Sequence, residues 1–235
     1  MKKTIPFALL LFFSFSGVKA QQQQYKEQMA QDWPNLKKYR EANEKILQMG
    51  DYPTVVFMGN SITEGWANKH PEFFKNNNYA GRGISGQTTP QMLIRFMPDV
   101  IDLKPEAVVI LAGTNDIAGN TGFSSVKMIT ENIKAMAQLA SANNIKVILS
   151  SVLPVYDYPW RPGLQPVEKI AKVNAWLKDF ARENGYVYLD YFSAMKNAQE
   201  GMKKEYSEDG VHPNSEGYDV MEPMVQQAIA KALED

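Results

Sequence analysis

The sequence predicts an α/β domain in which helices cover both faces of a parallel β-sheet. Short, uncharged apolar runs of strand length alternate with longer amphipathic segments of helical period. Such alternation is typical of right-handed β–α–β units, whose strands are buried on both faces. We find no internal repeat and no linker that would divide the 235 residues. We therefore expect a single three-layer α/β/α domain.

We expect the first 20 residues to be a signal peptide. Lys2 and Lys3 form a charged start, the apolar stretch 5–15 has the length of a signal-peptide core, and 18–20 offers small residues for cleavage. The stretch is too short for a good membrane anchor. An exported protein, periplasmic or secreted, is the expectation. Its polar lead-in would be 21–34, and the domain would occupy 35–235.

Composition excludes several classes of function. Without residues 1–20, the chain keeps 22 of its 25 basic side chains and all 26 acidic ones, a net charge of −4. That balance argues against a nucleic-acid binder. The lack of cysteine excludes disulfides, thiolate metal sites and a cysteine nucleophile. We expect no cofactor and no metal.

The strand and helix predictions rest on apolar periodicity and on turn residues. A first helix is expected to begin with Asn35 as its N-cap and to end at Gly50. The pattern of 62–78 is mixed, and Pro90 fits the first turn of a helix that runs to about Phe96. We expect strands at 54–58, 79–83, 107–112, 145–149 and 186–189, and later helices at 124–142, at 167–184 and after Asn214.

A turn that contains glycine follows each of the first three predicted strands. Ser61, Gly86 and Asn115 each lie in a glycine-containing turn just after a strand. Because the carboxyl ends of parallel strands meet at one edge of the sheet, we expect these residues to lie close together. Asp209 and His212 precede the last helix, so one loop supplies an imidazole together with a carboxylate that can orient it.

These residue types fit nucleophilic acyl transfer. A serine hydroxyl becomes a good nucleophile when a base removes its proton, and histidine is the natural base near neutral pH. Of the two histidines, His212 lies beside an acid, whereas we expect His70 to be structural or exposed at the rim. Asp190, at the end of the fifth strand, is an alternative acid to Asp209.

Four stretches of the chain resemble the signature blocks of the SGNH/GDSL hydrolases, in the same order and spacing. The similarity is greatest to the branch of the platelet-activating-factor acetylhydrolase catalytic subunits and their bacterial relatives. The sequence departs from the family pattern at Asn60, where an acid is usual, and at Ile62, where leucine is usual. The four blocks are Gly59-Asn60-Ser61-Ile62-Thr63, Ile84-Ser85-Gly86-Gln87-Thr88-Thr89, Gly113-Thr114-Asn115-Asp116 and Asp209-Gly210-Val211-His212-Pro213-Asn214.

The resemblance implies a role for each of these residues. Ser61 would be the nucleophile, His212 the base and Asp209 its acidic partner. The backbone N–H groups of Ser61 and Gly86 and the side-chain amide of Asn115 would form the oxyanion hole. The resemblance also implies a flavodoxin-like sheet of five strands in the order 2-1-3-4-5.

Five further residues are candidates to hold substrate. Tyr156, Tyr158 and Trp160 lie in the long loop after the fourth strand, and Trp66 and Arg82 adjoin the serine and glycine blocks. Aromatic side chains on a loop above the sheet edge suit a sugar face or an acyl chain. The alternative for the loop is an aromatic lid that packs against its own prolines.

We expect a serine esterase that cleaves small acyl groups, acetyl above all, from sugars or glycans, because export, a modest charge and the aromatic loop favour such substrates. One alternative is a lysophospholipase or thioesterase with the same machinery. Another is a catalytically inactive glycan-binding module, and a third is a nucleotide binder. The pattern Gly81-x-Gly83-x-x-Gly86 matches the dinucleotide fingerprint but follows the second strand, so we interpret it as a chance match. The sequence leaves the oligomeric state open.

Overall fold

A computed structural model describes residues 23, 26–27 and 31–234 of the chain. The expected signal peptide, 1–20, and most of the expected lead-in, 21–34, lie outside these residues. No helix within the described residues combines the length and the apolar character needed to span a bilayer.

Five parallel strands form a sheet in the order β2-β1-β3-β4-β5, which confirms the predicted α/β class and strand order. Each strand begins and ends within two residues of its predicted bounds. The strands are β1 (Val55–Gly59), β2 (Tyr79–Gly83), β3 (Ala107–Ile110), β4 (Lys146–Ser150) and β5 (Val187–Leu189).

Helices cover both faces of the sheet. All five residues of β1 are buried, and their side chains alternate between two apolar clusters, one on each face of the sheet. From residue 40 onward the helices are α1 (Arg40–Met49), α2 (Ser61–Lys69), α3 (Pro71–Asn76), α4 (Thr89–Ile94), α5 (Phe96–Asp99), α6 (Thr114–Ile117), α7 (Val126–Ala142), α8 (Val167–Asn184), α9 (Tyr191–Met195) and α10 (Ser215–Leu233), with 3₁₀ turns at Ile101–Leu103 and Lys204–Tyr206.

The predicted start of the first helix is wrong, and the stretch 62–78, for which no helix is predicted, is mostly helical. Asn35 is not an N-cap: it has a φ of 55° and lies in a turn, so α1 begins at Arg40, although Gly50 ends it as predicted. The mixed stretch 62–78 lies almost wholly in α2 and α3, which are separated by a break at His70. Proline after His70 explains this break, because it disfavours helical geometry in the residue before it.

Candidate active site

Ser61 is the first residue of α2 and follows β1 by a single residue. The side chain of Asn60 caps the helix by accepting a hydrogen bond from the N–H of Ile62 at 3.1 Å. Gly83, at the end of β2, packs directly on this turn: a Cβ there would lie 2.2 Å from the backbone nitrogen of Glu64. A glycine at the end of β2 therefore allows the turn that presents Ser61 to sit against the neighbouring strand.

The structure brings Ser61, His212 and Asp209 into one chain of contacts. Ser61 Oγ lies 2.9 Å from His212 Nε2, and His212 Nδ1 lies 2.7 Å from Asp209 Oδ2. The other oxygen of Asp209 accepts hydrogen bonds from the backbone N–H groups of His212, at 2.8 Å, and Val211, at 2.9 Å. One carboxylate thus holds both the ring and the backbone of the histidine.

Asp209 is prepared to carry a negative charge. Burial alone would raise the pKa of its carboxyl, but the hydrogen bonds from His212 and Val211 outweigh burial and hold the pKa below its usual value. The alternative acid, Asp190, instead caps α9 by accepting a hydrogen bond from the N–H of Ser193 at 3.0 Å. The geometry therefore favours Asp209 as the partner of His212.

Gly86 lies in the loop after β2, and Asn115 lies in α6, the short helix just after β3. Gly86 has a φ of 77°, a conformation that favours glycine. Its carbonyl accepts a hydrogen bond from Asn120 at 3.3 Å, whereas its N–H has no hydrogen-bond partner among the described residues. The side-chain amide of Asn115 donates to the carbonyl of Gln87 at 2.9 Å. As the first residue of α2, Ser61 has an N–H without an intrahelical acceptor.

Arg95 is a residue of the site region that the sequence reasoning missed. It is fully buried and donates hydrogen bonds to the carbonyls of Gly59, at 2.8 Å, and Arg82, at 2.9 Å. It also donates to the side chain of Gln87 and forms an ion pair with Asp99 at 2.8 Å. One guanidinium thus ties the end of β1 to the end of β2 and to the loop that carries Gly86.

Glu64 connects α2 to Ser85 in the loop after β2, a contact that the sequence reasoning missed. Its carboxylate accepts hydrogen bonds from the N–H of Ser85, at 2.8 Å, and from the hydroxyl of the same serine. It also forms an ion pair with Lys38 at 2.8 Å. Apart from Asp99, which follows Arg95 by four residues, the partners of Glu64 and Arg95 come from separate parts of the chain, so the sequence does not show these connections.

The prediction that Trp66 and Arg82 contact substrate is wrong, since both side chains are buried. The Trp66 ring stacks on Phe73 and Tyr218 in the core, with centroid distances of 5.4 and 5.5 Å. Arg82 donates to the side chain of Asn43 at 3.0 Å, on the side of α1. Both lie close to the signature blocks in sequence, but they face the interior.

The aromatic loop after β4 divides into a packed part and an exposed part. Tyr158 is fully buried, and its hydroxyl lies 2.9 Å from that of Thr114, so its expected substrate contact is also wrong. The Trp160 ring is 42% exposed and lies 6.0 Å from the His212 ring. Tyr156 is 61% exposed. Of the five candidates, the structure thus places Trp160 directly beside the histidine.

His70 lies at the C-terminal end of α2 and contacts α10. Its Nδ1 is 2.7 Å from Glu222 Oε1, which also accepts a hydrogen bond from Trp66 at 3.3 Å. With Asp219, these residues place three potential metal-ligand atoms within 4.8 Å of one another. Because Glu222 already joins α2 to α10, the cluster has a structural explanation.

Comparisons with known proteins found a matching family model and similar solved structures. A sequence model of the family described as GDSL-like lipases/acylhydrolases matches residues 57–220. The crystal structure of a GDSL-like lipase from Bacteroides thetaiotaomicron is 48% identical in sequence, has a TM-score of 0.82, and covers 86% of this chain and 100% of its own.

Two further proteins are more distantly similar to the chain. An acetyl-xylooligosaccharide esterase from Geobacillus, 17% identical with a TM-score of 0.59, shares the fold over 74% of this chain and 93% of its own. An uncharacterized lipoprotein from Bacillus subtilis is 31% identical over 45% of this chain and 51% of its own. The chain spans about half the length of the curated relatives it matches.

Proposed function

The chain belongs to the GDSL-like lipase/acylhydrolase family of ester hydrolases, and we propose that it is a serine esterase that removes small acyl groups, acetyl above all, from sugars or glycans. The contact of 2.9 Å between Ser61 Oγ and His212 Nε2 is the observation that carries this proposal. It is extended by the 2.7 Å contact between His212 Nδ1 and Asp209. Both contacts are what acyl transfer by an activated serine requires.

In the first half of the reaction, His212 acts as a base. With its Nδ1–H donating to Asp209, its Nε2 accepts the proton of Ser61 as the serine oxygen attacks the ester carbonyl carbon. The carbonyl oxygen becomes an oxyanion, which the N–H groups of Ser61 and Gly86 and the amide of Asn115 stabilise. His212 then gives its proton to the leaving alcohol, and the acyl group remains on Ser61.

In the second half, water replaces the alcohol. His212 Nε2 takes a proton from the water as its oxygen attacks the acyl carbon, and the same three donors hold the second oxyanion. The bond to Ser61 Oγ breaks, the serine recovers its proton from His212, and the carboxylic acid leaves. The loop of Asp209 and His212 needs no large movement between the two halves, because the same atoms exchange protons in both.

The rim of the site supports a sugar as the alcohol part of the ester. The exposed ring of Trp160 beside His212 offers a flat apolar face of the kind that packs against the C–H face of a sugar. The fold is shared with an acetyl-xylooligosaccharide esterase, which is consistent with an acetylated saccharide as substrate.

We propose that the protein acts outside the cytoplasm after removal of residues 1–20. The charged start, apolar core and small residues of this stretch support export, and a lipoprotein among the relatives is compatible with it. Expression of the full chain in a bacterial host followed by N-terminal sequencing tests this: a mature start near Gln21 supports export, and an intact Met1 in the cytoplasmic fraction contradicts it.

An ester panel on the purified mature protein tests the activity. We expect release of acetate from acetylated saccharides and faster hydrolysis of p-nitrophenyl acetate than of its long-chain homologues, and Ser61→Ala should abolish both. A strong preference for long acyl chains would instead favour a lysophospholipase or thioesterase. A wild-type protein that binds glycans but hydrolyses no ester would be a binding module.

A further inference from the structure

A second feature of the carboxyl edge of the sheet is a cavity of about 670 Å³ beside the centre described above. Its walls come from the loop after β3, the loop after β4 and the first turns of α7 and α8. The volume is in the range of about 300–1,000 Å³ that is usual for small-molecule sites. The wall includes three side chains that matter here, Phe123, Arg161 and Lys169.

Both loops also contact the candidate active site. In the loop after β3, Gly119 lines the cavity, while the next residue, Asn120, bonds through its backbone to Asn115 at 3.0 Å and through its side chain to Gly86 at 3.3 Å. In the loop after β4, Arg161 lines the cavity, while its neighbour Trp160 lies beside the His212 ring. A molecule in the cavity therefore lies next to the proposed reaction centre.

Two cations of the cavity wall make no ion pair with any acid of the described residues. Arg161 donates to the carbonyl of Ala118 at 2.9 Å, and Lys169 donates to the carbonyl of Ser124. The ion pairs that the described residues form include neither of them. Both remain able to donate further hydrogen bonds, because guanidinium and ammonium groups carry several N–H bonds.

The two acids of the wall have partners of their own. Both oxygens of Asp116 accept hydrogen bonds from Thr89, and one of these bonds, from the hydroxyl, is 2.6 Å long. Glu168 forms an exposed ion pair with Lys172 at 2.6 Å. Asp116 makes no ion pair and attracts Lys169, but the three cations of the wall, Arg161, Lys169 and Lys172, outnumber its two acids, so the wall keeps a net positive charge.

We infer that this cavity binds the anionic group of an acidic sugar, a carboxylate or a sulfate, on the alcohol part of the ester. Phe123 is 84% exposed, and the centre of its ring lies 5.7 Å from Lys169 Nζ. It offers an aromatic side chain to the sugar ring beside this cation. Arg161 and Lys169 would hold the anionic group by charge-assisted hydrogen bonds. As a substrate subsite, the cavity rests on the proposed function; as a binding site for acidic sugars, it is testable without it.

Direct binding to the Ser61→Ala protein, measured by calorimetry, tests the inference with three probes: methyl glucuronide, methyl glucoside 6-sulfate and neutral methyl glucoside. We expect at least one acidic probe to bind about ten- to a hundredfold more tightly than the neutral one. Comparison of the two acidic probes identifies carboxylate or sulfate as the preferred group. Adding Arg161→Met and Lys169→Met should remove the preference. Adding Lys178→Met and Arg182→Met, an equal loss of charge further along α8, should preserve it.

Kinetics on the wild-type background separate this inference from the proposed function. The Arg161→Met/Lys169→Met variant should raise KM for an acetylated glucuronide by a larger factor than KM for an acetylated neutral glucoside. Equal binding of acidic and neutral probes would overturn the inference even if p-nitrophenyl acetate is hydrolysed. Selective binding of an acidic probe by a protein that hydrolyses no ester would support the cavity assignment and contradict the esterase.

Discussion

Ser61 and His212 meet at 2.9 Å, yet they reach this contact from two differently constructed regions. The nucleophile region, made of the turns that carry Ser61 and Gly86, is anchored by the fully buried Arg95 and by Glu64. Their partners come from both strand ends and from the Gly86 loop. The geometry of the nucleophile region thus depends on the packing of the whole domain.

The base region, residues 205–214, is organised by hydrogen bonds within itself. Ser207 Oγ donates to the carbonyl of His212 at 2.7 Å, and the side chain of Asn214 donates to the carbonyl of Glu205 at 3.0 Å. The side chains of His212 and Asp209 are 38% and 41% exposed. The contrast suggests a rule: changes in the base region should affect activity much more than stability, whereas changes in the nucleophile region should affect both.

The largest effect is expected from His212→Ala, which tests the base region. Without the base, kcat for an acetyl ester should fall by a factor on the order of 10⁶. The free energy of unfolding in urea should change by only about 1 kcal/mol, because the ring is partly exposed and makes a single hydrogen bond outside its own loop, to Ser61. A variant that loses its fold, or that keeps kcat within tenfold of wild type, would contradict this rule for the base region.

Arg95→Met tests the nucleophile region. It leaves Asp99 as an unpaired buried charge and removes the donors to Gly59 and Arg82, so we expect a loss of about 3–5 kcal/mol in the free energy of unfolding. Urea denaturation measures it. The control is Arg182→Met, which removes an exposed ion pair with Asp179 and should have little effect. Equal stability of the two variants would contradict the anchoring role of Arg95.

Asn115→Ala should lower both the activity and the stability, which tests the rule at a residue that serves both. Loss of one oxyanion donor typically lowers kcat by about 10²–10³, and loss of the buried bond to Gln87 should lower the free energy of unfolding by about 1 kcal/mol. Steady-state kinetics and urea denaturation of the same sample measure the two effects. An unchanged kcat would remove Asn115 from the oxyanion hole.

The smallest effect concerns pH, where Asp116, a buried residue of α6 bonded to Thr89, should behave oppositely to Asp209 of the base region. Burial raises the pKa of Asp116 to about 6 despite its hydrogen bonds from Thr89. Since the folded state then holds this proton more tightly than the unfolded chain, the free energy of unfolding should fall as pH rises from about 4 to about 6. Asp209, with its lowered pKa, contributes stability above about pH 4 that is lost at lower pH.

Asp116→Asn should therefore remove a pH dependence of up to about 2–3 kcal/mol between about pH 4 and 6. Asp209→Asn is the matched variant and should leave that slope in place. Urea denaturation at a series of pH values measures both. A slope that persists in Asp116→Asn would show that another group titrates in this range.

The strands and the signature blocks could be predicted because their signals are local. An apolar run such as Val55–Met58 identifies a buried strand by itself, and parallel strands then bring Ser61, Gly86 and Asn115 to one edge. The base region was equally accessible, since Asp209 and His212 are three residues apart in one loop. The strand order and the meeting of these residues thus follow from short stretches and from the topology.

The directions of the side chains and the contacts of Arg95 with the strand ends could not be predicted, because they depend on segments that are distant in the chain. Sequence proximity to a block does not tell which way a side chain faces, which is why Trp66, Arg82 and Tyr158 were assigned to substrate although they pack inside. The i,i+4 pair of Arg95 with Asp99 is visible in the sequence, but the bonds from Arg95 to the carbonyls of Gly59 and Arg82 become visible only once β1 and β2 are adjacent. Asn35 has the residue type of an N-cap but adopts a turn with positive φ.

Covalent labelling tests most directly whether Ser61 is a nucleophile activated by His212. An alkyl fluorophosphonate, followed by mass spectrometry of tryptic peptides, should add one equivalent to peptide 46–69, in which Ser61 is the only serine. Ser61→Ala should take up no label, and His212→Ala should react at least about 10³-fold more slowly, because a serine without its base is a weak nucleophile. Labelling of another residue, or equally rapid labelling of His212→Ala, would contradict the account.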